Sequence, residues 1–336
     1  MAGIEQITVT ADEAGMRLDR WFKSHFPGLG HGHLQKLLRT GQVRVDGKRA
    51  ETSTRVATGQ VVRIPPLGVD ANVKAQDNPS AKPRSRKLVD SDREAVEAMI
   101  LYRDREVMVL NKPAGLAVQG GSGLTRHLDG MLEAFRNQKG EKPRLVHRLD
   151  RETSGILLLA LTRKAAAEMS KSFRARQTRK IYWALVAGAP KPRQGRISTY
   201  LARDEGEERM RVARHGEDDA QHSLSLYSVV ENAGQKVCWV SLRPITGRTH
   251  QLRAHMAHVH HPIVGDPKYF NVENWEMPGG IQNKLHLHAR RIVIPHPSGR
   301  GVIDVSAPLP PHMQQSWNLL GFDAAQYDPE TDDPEE

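Results

Sequence analysis

The sequence predicts an α+β fold in two parts. A small N-terminal α/β module is joined by a linker to a larger domain, which has a mixed, mainly antiparallel sheet flanked by helices. Three observations lead there. Beyond residue 96, short apolar and β-branched runs outnumber helical patterns and do not alternate with them regularly. Residues 16–64 carry a self-contained pattern of two helices and a hairpin. Between these parts, residues 67–95 lose apolar periodicity and gain Pro, Ser, Asn and scattered charge, including Lys82-Pro83-Arg84-Ser85-Arg86-Lys87, which reads as a flexible basic linker. A chain of 336 residues with 38% hydrophobic content can bury cores for both parts.

The elements follow in order. Ile7 to Thr10 is β-like. Met16 opens an amphipathic helix that stops near Pro27-Gly28, and His33 to Thr40 forms a second, with Leu34, Leu37 and Leu38 at helical spacing and Gly41 as the stop. Val43 to Lys48 reads as a strand and turn, and Val61 to Ile64 closes the module before Pro65-Pro66. In the second part Val107 to Leu110 is a strand and Asn111 to Gly115 a turn. Gln119-Gly120-Gly121-Ser122-Gly123 is a loop before a helix through Leu128, Met131, Leu132 and Phe135. That Gly-rich loop lacks the residues of a P-loop or a dinucleotide fingerprint. Arg163 to Arg176 and Arg248 to Val259 read as helices; Ile181 to Val186, Ser223 to Val229, Val237 to Leu242 and segments around Leu287, Ile292 and Val302 to Val305 read as strands.

Charge narrows the partner. The net charge is +10, yet residues 323–336 hold seven acids and no Lys or Arg, so the rest of the chain carries +17. Such a field favours a polyanion, nucleic acid above all, while the acidic tail reads as disordered. No apolar run is long enough for a membrane span, and residues 1–16 lack the layout of a signal peptide, so a cytoplasmic, membrane-free, monomeric protein is expected. The single cysteine, Cys238, excludes an internal disulfide and reads as a buried strand residue. His250, His255, His258, His260, His261, His286 and His288 lack metal-ligand spacing and company, so neither a metal nor a cofactor is expected.

One polar stretch stands out. Val146-His147-Arg148-Leu149-Asp150-Arg151-Glu152-Thr153-Ser154-Gly155 runs directly into the apolar run Ile156 to Leu161. Asp150 therefore belongs to a loop on the edge of a buried strand, where catalytic groups tend to sit. A surface turn in which Asp150 pairs with Arg148 or Arg151 would use the same residues.

Four separated segments decide between these readings by resemblance. His147 to Gly155 matches the signature of group A of the ribosomal large-subunit pseudouridine synthases, and Lys180-Ile181-Tyr182-Trp183-Ala184-Leu185-Val186-Ala187-Gly188 resembles their second motif. Pro244-Ile245-Thr246-Gly247-Arg248-Thr249-His250-Gln251-Leu252-Arg253-Ala254-His255 and Leu285-His286-Leu287-His288-Ala289 resemble the third and the terminal ones. The order Arg17-Leu18-Asp19, basic second helix, Gly41-Gln42-Val43-Arg44-Val45-Asp46-Gly47 resembles the S4 RNA-binding domain. The resulting division is 1–66 S4-like, 67–95 linker, 96–322 catalytic domain and 323–336 tail.

The resemblance implies an isomerase that turns uridine of 23S rRNA into pseudouridine, acting on free rRNA or a pre-ribosomal large subunit, with no cofactor. It makes Asp150 the nucleophile, and Arg248 the cation that orients it and offsets the burial of its charge. Arg148 becomes the side chain entering the RNA helix, Tyr182 the ring on the flipped uracil with a hydroxyl available as late general base, and Leu287 the opposite wall. Lys180 and Arg253 are nucleotide or phosphate contacts, or members of structural ion pairs. In the S4-like module Gln35, Lys36, Arg39, Arg44 and Lys48 are nominated for RNA. Two other classes compete: a non-catalytic rRNA-binding or assembly factor on the same fold, which need not retain Asp150, Tyr182 and Arg248, and a glycosidase, which needs a second acid that only Glu152 could supply.

Overall fold

The computed structural model describes residues 4–26, 28–67, 86–120, 126–204, 206–272 and 275–325. The chain divides into two compact units, Met1–Arg84 and Ser85–Glu336.

In the first unit, β1 (Glu5–Thr8) precedes two helices, α1 (Leu18–His25) and α2 (His31–Arg39), followed by β2 (Arg44–Val45), β3 (Lys48–Arg49) and β4 (Val61–Ile64). The antiparallel sheet has the order β1-β4-β2-β3. Leu18, Trp21 and Phe22 of α1 and Leu34, Leu37 and Leu38 of α2 bury against Val43, Val62 and Ile64. Asp46 and Gly47 both take positive φ, as a two-residue hairpin turn requires, and the Asp46 carboxylate accepts the Val61 N–H at 2.8 Å, so the turn is tied to β4.

The second unit opens with α3 (Arg86–Glu97), which corrects the expectation of a linker through residue 95. Its charges conceal an amphipathic stripe: Val96 is fully buried, Val89 packs on the same core, and Arg93 lies 5.1 Å over the Phe135 ring. Residues 68–85 of the expected linker, Gly121-Ser122-Gly123 of the Gly-rich loop and residues 326–336 of the acidic tail lie outside the described residues.

Then follow β5 (Ile100–Arg103), β6 (Val107–Lys112), α4 (Leu128–Met131), β7 (Arg144–Leu145), β8 (Ser154–Ala160), α5 (Arg163–Arg174), β9 (Arg179–Ala187), β10 (Gln194–Arg203), β11 (Met210–Ala213), β12 (Gln221–Ala233), β13 (Val237–Pro244), α6 (Gln251–His258), β14 (Leu287–Pro295), β15 (Val302–Ser306) and α7 (Pro311–Leu320). Nine strands run β11-β10-β12-β13-β9-β14-β8-β6-β5, with β15 on β14 and β7 on β8. The β14·β8 pair is parallel and the others antiparallel, which is the mixed, mainly antiparallel sheet expected. Sequence patterning missed β5, β7, β10, β11 and α7, and it began α6 three residues early.

Strand β9 is covered on both faces. Ile181, Trp183 and Leu185 pack with Trp239 and the α7 residues Met313 and Trp317. Ala184 and Val186 pack with Val240 and the α6 residues Leu252 and Met256, and Tyr182 lies against the edge of that layer. Cys238 is buried there as expected. Period-2 alternation is thus hidden in an apolar run, as it is for any strand buried on both sides. No helix among the described residues is long and apolar enough to cross a membrane.

The parallel pair brings β8 and β14 together through His288↔Ser154 and Ala289↔Gly155. Gly155 has φ +106°, and a Cβ there would lie 2.3 Å from the Ala289 carbonyl oxygen. Gly155→Ala should therefore lower stability by more than the ~1–3 kcal/mol of backbone strain alone. Gly140→Ala, also at positive φ but with open space around the new Cβ, should lose only the strain. Denaturant melts of the two variants check this; equal losses would remove the close approach as the cause.

Candidate active site

The loop between β7 and β8 is held from below before it presents anything to solvent. The His147 ring nitrogen Nε2 accepts the Leu158 N–H at 2.9 Å and the ring packs on Phe173, with centroids 5.1 Å apart. Burial, then the nearby Lys180 charge, pushes this imidazole down to about 3, so it stays a neutral acceptor. Leu149 is buried as well. Alternation along the extended loop therefore turns Arg148 and Asp150 outward.

A second anchor is Lys112, fully buried at the end of β6. Its ammonium donates to the carbonyls of Pro113 (2.8 Å), Leu116 (2.9 Å) and Arg151 (3.0 Å). Burial lowers it to about 8, opposed by the charges of Glu152 and Asp150. Backbone bonds complete the clamp: Gly115 N–H donates to Arg151 O at 2.9 Å, and Arg151 Nε donates to Gly115 O at 3.1 Å. At the start of β8, Ser154 Oγ lies 2.9 Å from His288 Nδ1.

Above this loop opens a cavity of about 770 Å³. Arg148, Asp150, Lys180, Tyr182, Arg248, Arg253 and Leu287 all line it. The Asp150 side chain is 22% exposed, and its Oδ2 lies 3.7 Å from Arg253 Nη1 and 3.9 Å from His250 Nε2. Arg253, 3% exposed, is fixed by two donated bonds of 2.7 Å, from Nε and Nη2 to the Asp266 carboxylate, and its guanidinium sits 5.1 Å from the Tyr269 ring centroid. Burial opposes the Arg253 charge, but the Asp266 hydrogen bonds and the charges of Asp266 and Asp150 outweigh it and raise its affinity for the proton.

On the wall, Tyr182 is half-buried, and burial followed by the Asp150 charge raises its phenol well above the ordinary range. It reaches the site as a neutral phenol. Leu287, 3% exposed, stands in β14 opposite Ala184, two residues from Ala289, the register partner of Tyr182. Lys180 has no hydrogen-bond or ion-pair partner for its ammonium among the described residues, and burial lowers it to about 8.

Similarity to known proteins follows these residues. Residues 106–258 match the family described as RNA pseudouridylate synthase. RNA pseudouridine synthase 4, mitochondrial, of Arabidopsis thaliana is 35% identical across 94% of this chain and 82% of its own length. The chain belongs to the RNA pseudouridylate synthase family. Its members are isomerases, and this chain is one of them. Ribosomal large subunit pseudouridine synthase C is 34% identical in Vibrio cholerae (93% of this chain, 96% of that protein) and in Escherichia coli K12 (91% and 93%). Among solved structures, Human RNA Pseudouridylate Synthase Domain Containing 4 superposes with a TM-score of 0.58 at 27% identity, covering 70% of this chain and 97% of that one.

The structure separates the two arginines of the third motif. Arg248, expected beside Asp150, instead donates from Nε to His222 O at 3.1 Å, and its backbone N–H donates to Gln251 Oε1 at 3.0 Å. The reason is where the helix begins: α6 starts at Gln251 after His250 in a left-handed conformation, so Arg248 belongs to the preceding turn while Arg253 projects into the cavity. The ion-pair alternative for Arg253 holds, with Asp266 as partner, and the same side chain is the cation nearest Asp150. Glu152 is half-buried beside Arg151 at 3.5 Å. Sequence reading missed Asp266 and Tyr269, whose signal was the turn phrase Gly265-Asp266-Pro267-Lys268-Tyr269, as well as Lys112 and His147 as loop anchors. In the first unit Gln35, Lys36, Arg39, Arg44 and Lys48 are all exposed.

The two arginines should respond differently to substitution. Arg253→Met strands Asp266 as a buried unpaired charge and should cost about 3–5 kcal/mol, whereas Arg248→Met should stay within about 0.5 kcal/mol of wild type. Urea denaturation compares them directly, and similar losses would show that the Arg253–Asp266 pair is not the anchor.

Proposed function

We propose that this chain isomerises uridines of 23S rRNA to pseudouridine, with Asp150 as nucleophile acting on a base flipped out of its stack. The observation that carries the reading is a single carboxylate at the mouth of a cavity, faced by an arginine whose other donors are already committed to a buried acid. Likeness to ribosomal large subunit pseudouridine synthase C over 91–93% of the chain supports 23S rRNA as substrate.

Isomerisation breaks the N1–C1′ bond, turns the uracil and joins C5 to C1′; C5 loses a proton and N1 gains one. Atoms and electrons balance within the nucleotide. A carboxylate can begin this by attack at C1′, by attack at C6 or by removing a sugar proton, and all three routes need an ionised oxygen facing the nucleoside. Arg253 opposes the cost of holding that charge in a partly dry cavity. Arg148, exposed at the rim, fills the gap left by the flipped base, at a site where unstacking costs a few kcal/mol. Tyr182 stacks on the uracil, a contact worth about 1–3 kcal/mol, with Leu287 as the opposite wall. The unpaired Lys180 ammonium and Arg248 at the cavity edge suit phosphate or nucleotide oxygens.

The first unit acts as the S4-like RNA anchor through Gln35, Lys36, Arg39, Arg44 and Lys48. In support, Arg63, Arg44 and Arg49 are cross-strand neighbours on β4, β2 and β3. Like charges placed directly opposite are unfavourable, and a phosphate backbone running across them relieves that repulsion.

Asp150→Asn should form no pseudouridine in 23S rRNA while binding it within about twofold of wild type; turnover by the pure variant would sink the nucleophile assignment. Mapping pseudouridines in rRNA with and without the chain identifies its targets. Replacing Lys36, Arg39, Arg44 and Lys48 together by Gln should reduce the slope of log K against log salt by about 3, at ~0.7–0.9 per lost phosphate contact. An unchanged slope would show that this face is not the RNA anchor.

A further inference from the structure

His250 lies immediately before α6 with φ 50° and ψ 19°, a left-handed conformation uncommon for a residue with a Cβ. The turn sets its ring between Asp150 and Tyr269: Nε2 is 3.9 Å from Asp150 Oδ2 and Nδ1 is 3.0 Å from the Tyr269 hydroxyl. That hydroxyl already accepts the Met210 N–H at 2.7 Å. Burial first, with the charges of Asp266 and Asp150, pushes the Tyr269 phenol up to about 12 against the Met210 hydrogen bond and the Arg253 charge, so it keeps its proton. Among the described residues the acceptor for that proton is His250 Nδ1. A neutral imidazole that accepts at one nitrogen carries its proton on the other. Burial lowers His250 further than the facing Asp150 raises it, with Arg253 and Lys268 also lowering it and Asp266 raising it, so the neutral form is the relevant one.

We propose that His250 is a positioning residue for the reaction: Tyr269 fixes its tautomer, and its Nε2–H joins Arg253 as a second donor to Asp150. Both groups approach the same oxygen, Oδ2. The carboxylate is thereby held from one side, and Oδ1 is left to face the nucleoside as the reacting atom. Both approaches, 3.7 Å from Arg253 and 3.9 Å from His250, are longer than a hydrogen bond, and catalytic contacts of this kind commonly tighten when substrate binds. The inference rests on the reading of Asp150 as nucleophile given above. It adds a chain of contacts running from Met210 in β11 through Tyr269 and His250 to the carboxylate, so the β10–β11 hairpin is coupled to the orientation of the reacting group.

Two measurements test it. In protein labelled with ¹⁵N in its histidine side chains, the His250 resonance, identified by its loss in His250→Gln, should report a bare Nδ1 and a protonated Nε2, and Tyr269→Phe should give a mixture of tautomers. A protonated Nδ1 in the wild type overturns the proposal. In single-turnover assays on rRNA, His250→Ala should slow product formation about 10- to 100-fold with RNA affinity within twofold. His250→Gln, whose side-chain amide can donate to the same oxygen, should recover most of that loss. A merely structural role predicts no such rescue, so a His250→Gln protein as slow as His250→Ala overturns it. RNA carrying 5-fluorouridine, which has no C5 proton to lose, separates early from late steps: His250→Ala should slow rearrangement of uridine and 5-fluorouridine equally. Slowing of uridine alone would place His250 at the C5 proton and overturn its assignment to Asp150. Wild-type protein inert on every rRNA would defeat the reading of Asp150 itself, whereas the tautomer measurement stands or falls independently.

Discussion

The buried pair Arg253–Asp266 is the constraint on which the site depends. Two charges removed from water each cost several kcal/mol unless geometry and further hydrogen bonds compensate them. Here both are compensated. The Asp266 carboxylate accepts two guanidinium N–H bonds at 2.7 Å, and its Oδ1 also accepts the backbone N–H groups of Lys268 (2.9 Å) and Tyr269 (3.2 Å). That turn is possible because Gly265, at φ +70°, passes so close to Lys284 that a Cβ would sit 2.0 Å from its carbonyl oxygen. With Nε and Nη2 committed, Nη1 is the edge of Arg253 left for Asp150. A cation that cannot rotate thus has one direction in which to act, and preorganisation of that kind lets a charge contribute in a half-dry cavity.

The opposite partner is restrained just as firmly, by different means. Asp150 sits on a loop, but the loop is not free: Lys112 holds the Arg151 carbonyl, His147 is bonded back to the Leu158 N–H, and Ser154 is paired with His288 across the parallel β8·β14 contact. The buried Lys112 ammonium meets three carbonyl oxygens at 2.8–3.0 Å, which offsets its desolvation in the way a lone lysine could not achieve. These anchors approach from three separate strands. Orientation of the carboxylate is consequently a property of the sheet rather than of the loop.

Much of this was legible in the sequence, for reasons that differ by residue. That Asp150, Tyr182 and Leu287 line one cavity was legible because each sits in a contiguous motif on or beside a strand, where position along the chain fixes the face. Arg248 was expected against Asp150, where Arg253 lies, because five residues of one motif cross from a turn into a helix at His250, and a left-handed residue there is invisible to pattern. Helix α3 was hidden because Pro, Ser and Lys of the preceding segment obscured the stripe through Val89 and Val96 at helical spacing. Asp266, Tyr269 and Lys112 carry no periodic signal at all; their meaning comes from the residues they meet across the fold. Helix α7 did leave marks, Pro310 as its N-cap, Pro311 as its first residue and Gly321 after it, the start and stop signals expected of a helix.

The cavity also has a direction. Arg148 is exposed at the rim, Asp150 is 22% exposed at the mouth, Tyr182 is half-buried, and Leu287 and Arg253 are each 3% exposed at the floor. On the proposed function, a base leaving its stack would pass a hydrated cation at the rim and enter between an aromatic face and an aliphatic wall. Apolar burial there would replace the stacking lost in the helix. The charges follow the opposite order of freedom: Arg148 has no fixed partner among the described residues, whereas Arg253 has its full set. An exposed cation without a fixed partner suits the proposed task of filling the gap a departing base would leave. A guanidinium fixed by Asp266 suits the proposed task of holding one carboxylate oxygen in a constant place.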